Sequence, residues 1–93
     1  MTVLHVERHY PHPHTRSDFE REIGRLVEQM RPFALWVDVA ASVVDADVVS
    51  VLSEWRTDAD LDAFLAGSQY PHLSQGLDPH VRESPTVRRF HSA

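Results

Sequence analysis

Two segments of this chain are apolar on both faces of a strand. "FALWVDVAASVV" (33–44) puts Leu35, Val37 and Val39 on one side and Ala34, Trp36 and Ala40 on the other. "VVSVLSEW" (48–55) puts Val49, Val51 and Trp55 on one side and Val48 and Leu52 on the other. A strand with one face in water alternates apolar with polar residues, and these do not do so cleanly. The sheet they build therefore needs cover on both sides. Asp45-Ala46-Asp47 between them reads as a hairpin turn.

The other elements limit what that cover can be. "TVLHVERHY" (2–10) reads as a strand with Leu4 and Val6 on one face and Val3, His5, Glu7 and His9 on the other. "PHPHTR" then breaks it, because proline cannot continue a ladder. Ser17 predicts a helix N-cap, with Glu20 completing a capping box. Phe19, Ile23, Leu26, Val27 and Met30 follow as one apolar stripe, and Pro32 stops the helix. Gly24 within it costs up to about 1 kcal/mol against alanine, so it marks either close packing or tolerance.

Thr57 predicts a second cap, with Asp60 as its partner, Leu61, Phe64 and Leu65 as the buried face and Gly67 as the end. A further helical turn is expected from near Pro71 to Gly76–Pro79, and "TVRRFH" (86–91) closes the chain as a strand. The order βαββαβ is the ferredoxin-like split unit: an α+β fold with a four-stranded antiparallel sheet and helices on one face. Two helices cover one side only. For the other side a second copy of the chain is the simplest cover, which predicts a homodimer.

Ninety-three residues make one domain, 1–93, and 42% hydrophobic content is globular rather than disordered. No apolar run approaches the roughly 20 residues of a membrane span, and the N-terminus lacks a signal-peptide layout, so a cytoplasmic protein is expected. The chain has no cysteine, which excludes disulfides, thiolate nucleophiles and Cys-based metal sites. It also lacks lysine, which excludes Schiff-base chemistry. A net charge of −5 with no arginine stripe argues against a nucleic-acid partner.

Four of the seven histidines fall in "HVERHYPHPH" (5–14). His5 and His9, four residues apart on a strand, stand roughly 13 Å apart and cannot share a zinc ion with its bonds of about 2 Å. His9, His12 and His14 would converge only if the proline loop curled back, and no carboxylate or cysteine at ligand spacing would hold them. No metal is expected, and His12 and His14 read as solvated loop residues. His5 lies mid-strand, either a hydrogen-bonded core residue or an acid–base group in a pocket. Tyr70 and His72, flanking Pro71, can face the same cavity. Imidazole exchanges a proton near neutral pH, and a phenol can polarise a carbonyl. Trp36 and Trp55 read as core residues or as stacking surfaces for a ligand.

"VVSVLSEWRTDADLDAFLAGSQYPHL" (48–73) resembles the third-strand-to-second-helix segment of the antibiotic biosynthesis monooxygenase-like family, through Glu54-Trp55, Thr57-Asp58, Leu61 and Phe64. "SPTVRRF" (84–90) is similar to that family's closing strand. The resemblance implies a dimeric α+β barrel with two facing sheets and one cavity per chain between sheet and helices. It implies a flat aromatic or polyketide-like small-molecule substrate, no cofactor, and substrate-binding roles for Trp36, Trp55 and Phe64. The oxygenase branch uses a pocket asparagine, which this chain lacks, and Phe64 stands where a helix tryptophan is common. The cyclase branch resembles a first-strand histidine with a His/Tyr pair at the second helix. This implies His72 as base, Tyr70 as orienting donor and His5 as a further acid–base or hydrogen-bonding group.

The expected function is therefore a cofactor-free, monooxygenase-like enzyme of secondary metabolism. The alternatives are a cyclase or isomerase of the same fold using His/Tyr acid–base catalysis, or a non-catalytic ligand-binding dimer.

Overall fold

The N-terminal strand becomes the centre of the sheet, which decides what its side chains meet. The computed structural model describes residues Met1–Ser92. Its elements are β1 (Val3–Pro11), α1 (Arg16–Met30), β2 (Trp36–Ala41), β3 (Val49–Trp55), α2 (Asp58–Ala66), α3 (Gln69–Leu77) and β4 (Val81–His91), with single 3₁₀ turns at Pro13–Thr15 and Asp78–His80. The strands form one four-stranded sheet in the order β2-β3-β1-β4. All three pairings are antiparallel, as the ferredoxin-like reading requires. Among the described residues no helix is long and apolar enough to cross a membrane.

The helices lie on one face. The α1 stripe of Phe19, Ile23, Leu26, Val27 and Met30 is buried as its 3.6-residue spacing predicts. It packs with Val37, Val49, Val51, Trp55, Leu61 and Phe64 into one core. The outer face holds cross-strand rows fixed by register. Trp36, Glu54, Leu4 and Phe90 make one row, and Asp38, Leu52, Val6 and Arg88 the next. Trp36 and Phe90 remain about half exposed there. The helices thus leave uncovered the apolar second face read from the sequence.

Local chemistry moved several boundaries. The expected Ser17 cap is not used. Pro13 opens a 3₁₀ turn that runs directly into α1, so the helix begins at Arg16 behind Thr15, whose side chain makes no capping bond. Glu20, the expected box partner, instead pairs with Arg16 at 3.1 Å. Thr57 does cap α2, its Oγ1 accepting from the Asp60 amide at 3.1 Å. Helix α3 starts two residues ahead of Pro71, which occupies a first-turn position where the missing N–H costs nothing. A Cβ at Gly24 would meet nothing within 4 Å, so this glycine is tolerated rather than required.

Strand β2 is shorter than expected. The Phe33 and Ala34 amides turn back to the Met30 carbonyl, and the Ser42 Oγ accepts from the Val44 and Asp45 amides, curling the far end. Strand β4 is longer, pairing with β1 as far as Pro11 through two register shifts.

Candidate functional site

The inward face of β1 carries polar side chains where a central strand normally carries apolar ones. Strand alternation turns Val3, His5, Glu7, His9 and Pro11 toward the helices. His5, Glu7 and His9 are 1%, 1% and 2% exposed. Register sets His5 between Ser53 of β3 and Arg89 of β4, and Glu7 between Val51 and Val87. Burying three ionisable groups together is costly unless they satisfy one another.

Glu7 is the group that does most of this. One carboxylate oxygen lies 3.1 Å from His9 Nε2, and the other accepts from the Tyr70 hydroxyl at 3.2 Å. His5 Nδ1 is 3.7 Å from the same carboxylate, too far for a hydrogen bond. Neither ring nitrogen of His5 has a partner, and His9 Nδ1 is unpartnered as well. Burial pulls the His5 pKa below the usual histidine value, with the Glu7 carboxylate opposing and the Arg89 guanidinium reinforcing. At neutral pH His5 is therefore an uncharged imidazole with a free lone pair. Burial, then the charge and hydrogen bond of Glu7, push the Tyr70 pKa well above its ordinary value, so it stays a protonated phenol.

Aromatic residues wall this cluster. Trp55 is fully buried and donates its indole N–H to Ser53 Oγ at 2.9 Å. Phe64 lies 5.4 Å from the Trp55 ring and 5.9 Å from that of Tyr70. The His9 ring is 6.0 Å from that of Phe19. Helix α2 is tied to β4 by Arg89, which donates to Asp58 at 3.0 Å and Asp62 at 2.8 Å. His91 adds a 2.7 Å contact to Asp58.

The structure thus joins two of the three expected acid–base residues, His5 and Tyr70, through Glu7. It does not bring His72 to them. Tyr70 and His72 sit two positions apart on α3, about 200° around the helix. With Tyr70 turned to the sheet, His72 is exposed and lines a surface hollow with Glu22, Arg25 and Gly76. Of the three aromatic residues expected at a ligand, Trp55 and Phe64 stand at the cluster and Trp36 does not. Val37 takes the inward position on β2, so Trp36 faces outward and donates to Glu54 Oε1 at 2.6 Å. Glu54 also accepts from the Thr2 hydroxyl, and these two hydrogen bonds hold its pKa below the ordinary carboxylate value.

The open hollow expected between sheet and helices is not found: side chains fill that space, with His5, Glu7 and His9 buried beneath Tyr70 and the core. From the sequence Glu7 receives no role, and His9 is weighed only as a metal ligand with His12 and His14. Their signal was the period-two run His5, Glu7, His9 in phase with the apolar Val3. Among the described residues no three His, Asp or Glu side chains converge to hold a metal. His12 and His14 face each other at 5.1 Å outside the cluster.

A small α+β protein with a buried acid–base cluster beneath its helices is what this fold and site define. Solved structures of the same architecture make that class more definite. A conserved protein from Methanosarcina mazei Go1 superposes with a TM-score of 0.91 at 13% identity, over 100% of this chain and 94% of its own. An antibiotic biosynthesis monooxygenase superposes at 0.86 with 22% identity, over 98% of both chains. SnoaB from Streptomyces nogalater, a cofactor-independent oxygenase in its N63A mutant form, superposes at 0.83 with 14% identity, over 98% of this chain and 92% of its own. The chain shares their fold over its whole length, which bears out at that level the resemblance carried by residues 48–73 and 84–90. No family model matches the sequence, and neither does any curated protein.

Proposed function

We propose that this protein is a homodimeric, cofactor-free, monooxygenase-like enzyme that begins its reaction by taking a proton from a flat, enolisable aromatic or polyketide-type molecule. The observation that carries the reading is His5: buried, uncharged at neutral pH and without a partner on either ring nitrogen. A histidine kept in the core for stability alone would hydrogen-bond at least one nitrogen. A free lone pair in a dry site is what a general base needs.

In this reading His5 accepts the proton of an activated C–H. Tyr70 shifts its hydrogen bond from Glu7 to the developing enolate oxygen, and Glu7 holds His9 and the resting position of Tyr70. The carbanion adds to O₂, the proton returns to the peroxide, and loss of water leaves a new carbonyl: CH₂ plus O₂ gives C=O plus H₂O. Phe64 and Trp55 supply the apolar wall. Because the cluster is buried, entry of substrate requires Tyr70 to leave its hydrogen bond over Glu7, and the half-exposed Val87, opposite Glu7, marks the β4 side as the approach.

The outer face of the sheet is where a second copy packs. Leu4, Val6, Leu52, Trp36 and Phe90 supply apolar area, with acidic Asp38 and Glu54 toward one edge and Arg8 and Arg88 toward the other. An antiparallel two-fold packing sets acid against base. Light scattering tests this: the parent runs as a dimer and Leu52→Asp as a monomer, and a monomeric parent at micromolar concentration overturns it.

A second reading, cyclisation or isomerisation, is favoured by the same proton-handling pair and by the absence of asparagine from the chain. One experiment addresses both. Anthrone-type phenols and, separately, a linear poly-β-ketone thioester analogue are incubated with parent, His5→Ala and Tyr70→Phe proteins under O₂, with an oxygen electrode and product mass recorded. Oxygenation shows O₂ uptake and an anthrone product that gains one oxygen and loses two hydrogens, cyclisation shows no O₂ uptake and a poly-β-ketone product that has lost water, and whichever occurs falls at least 100-fold in His5→Ala. Turnover unchanged in His5→Ala ends the acid–base assignment.

A further inference from the structure

Helix α3 is held firmly at one end only. Leu77, at its C-terminus, is its buried side chain. Gly76 beside it lets α1 approach closely, since a Cβ there would stand 2.9 Å from Glu22 Oε2. The 3₁₀ turn that follows is tied down by His80, whose carbonyl accepts from the His12 amide at 2.8 Å. The first turn of α3 has no comparable anchors. Its N-cap, Ser68, makes no side-chain capping bond. Gly67, with φ −69° and ψ 166°, breaks the path between α2 and α3 at the residue type of widest backbone freedom. Open space flanks the turn on two sides. One hollow, of about 640 Å³, has Ala63, Phe64, Gly67 and Ser68 in its wall. The other, of about 220 Å³, has Gln29, His72 and Leu73, and Gln69 lines both.

This loosely held turn carries Tyr70. The Tyr70 hydroxyl donates to Glu7 at 3.2 Å, and its ring meets that of Phe64 edge-on at 5.9 Å. We propose that the first turn of α3, residues 68–72, is a lid over the His5–Glu7–His9 cluster, hinged at Gly67–Ser68 and latched by the hydrogen bond from Tyr70 to Glu7. Opening swings the turn into the flanking space while Gly76 and Leu77 stay packed, so Tyr70 leaves Glu7 and His5 is uncovered. Segments that open locally are those with few buried side chains and open space around them, and this turn has both features. That the opening admits a substrate rests on His5 acting as the base; the movement itself does not.

Diethyl pyrocarbonate, which acylates uncharged imidazole, reports the opening on the full chain when each histidine is followed by mass spectrometry. His5 is 1% exposed and should react at least about 100-fold more slowly than the exposed His14. Tyr70→Phe removes the latch and raises the His5 rate about tenfold. Ala63→Phe, at an exposed position in the wall of the larger hollow, takes up the space the lid needs and lowers the rate several-fold. Gly67→Ala stiffens the hinge and does the same, its methyl in ordinary contact with the Ala63 and Phe64 carbonyls at 3.4 Å. The His14 rate is unchanged throughout. Amide exchange of the buried α1 residues, which needs the whole chain to open, keeps the parent rate in Ala63→Phe and Gly67→Ala. A His5 rate that keeps pace with α1 exchange in every variant, or that Tyr70→Phe and Ala63→Phe leave at the parent value, overturns the lid. The assay needs no turnover: a rigid α3 with inactive His5→Ala rejects the lid alone, and a mobile α3 with fully active His5→Ala rejects the acid–base reading alone.

Discussion

Replacing Glu7 by alanine removes the one group that satisfies two buried neighbours. The Tyr70 hydroxyl and His9 Nε2 both lose their only side-chain partner, Glu7, which is itself 1% exposed. Leaving a buried polar group unpaired costs about 1–3 kcal/mol each. Removing the carboxylate also relieves its own desolvation, which offsets part of that sum. The expected net loss is about 3 kcal/mol, a large share of the roughly 5–15 kcal/mol that holds a domain of this size. Glu7→Gln keeps an oxygen for Tyr70 and an amide facing His9, and should cost about 1 kcal/mol. Urea unfolding at one fixed protein concentration measures both. The double variant Glu7→Ala/Tyr70→Phe should cost less than the sum of the two single losses by at least roughly 0.5 kcal/mol, as residues in one hydrogen-bond network do. A Glu7→Ala protein within 0.5 kcal/mol of the parent would refute the hub role assigned to this carboxylate.

Three further outcomes follow from the same geometry. His5 has a folded-state pKa below the 6.5 of a free histidine, so the unfolded chain binds the extra proton first as pH falls. Stability is therefore full above about pH 6.5 and declines below it, by at most about 1.4 kcal/mol per pH unit for one site. Urea midpoints between pH 8 and 5 should show a shallower decline in His5→Leu. Gly24→Ala should gain up to about 1 kcal/mol, since the new methyl meets open space, and thermal melts should rise by a few degrees. Thr57→Ala removes the bond to the Asp60 amide and should cost about 1 kcal/mol by the same melts, with Thr57→Ser recovering most of it.

How much of this was legible in the sequence depends on which force decided each feature. Periodicity reported the α1 stripe, which residues of β2 and β3 share a face and the Thr57 cap, because burial and capping act on residues close in sequence. It missed where α1 begins, since Pro13 makes a 3₁₀ turn favourable there, and it missed the length of β4, whose first residues are held by β1. His5 and Tyr70 were identified by chemical type, but Glu7, which joins them, was placed on the His5 face of the strand and given no role. Alternation puts Glu7 with His5, but only the packing of a central strand shows that this is the face the helices cover. His72 misled for the converse reason. Beside Tyr70 in sequence, it is carried around the helix to solvent once α3 forms. Trp36 was likewise displaced by a parity of one, with Val37 taking the inward side.

The account stands on His5 being an uncharged, uncommitted imidazole within a closed cluster. Nitrogen-15 NMR titration of the histidine rings tests that most directly. The expected result is a His5 pKa below 6.5 with ring signals that move when a phenolic substrate analogue is added. A His5 that titrates at or above 6.5, as a charged partner of Glu7 would, and does not respond to the analogue, contradicts it.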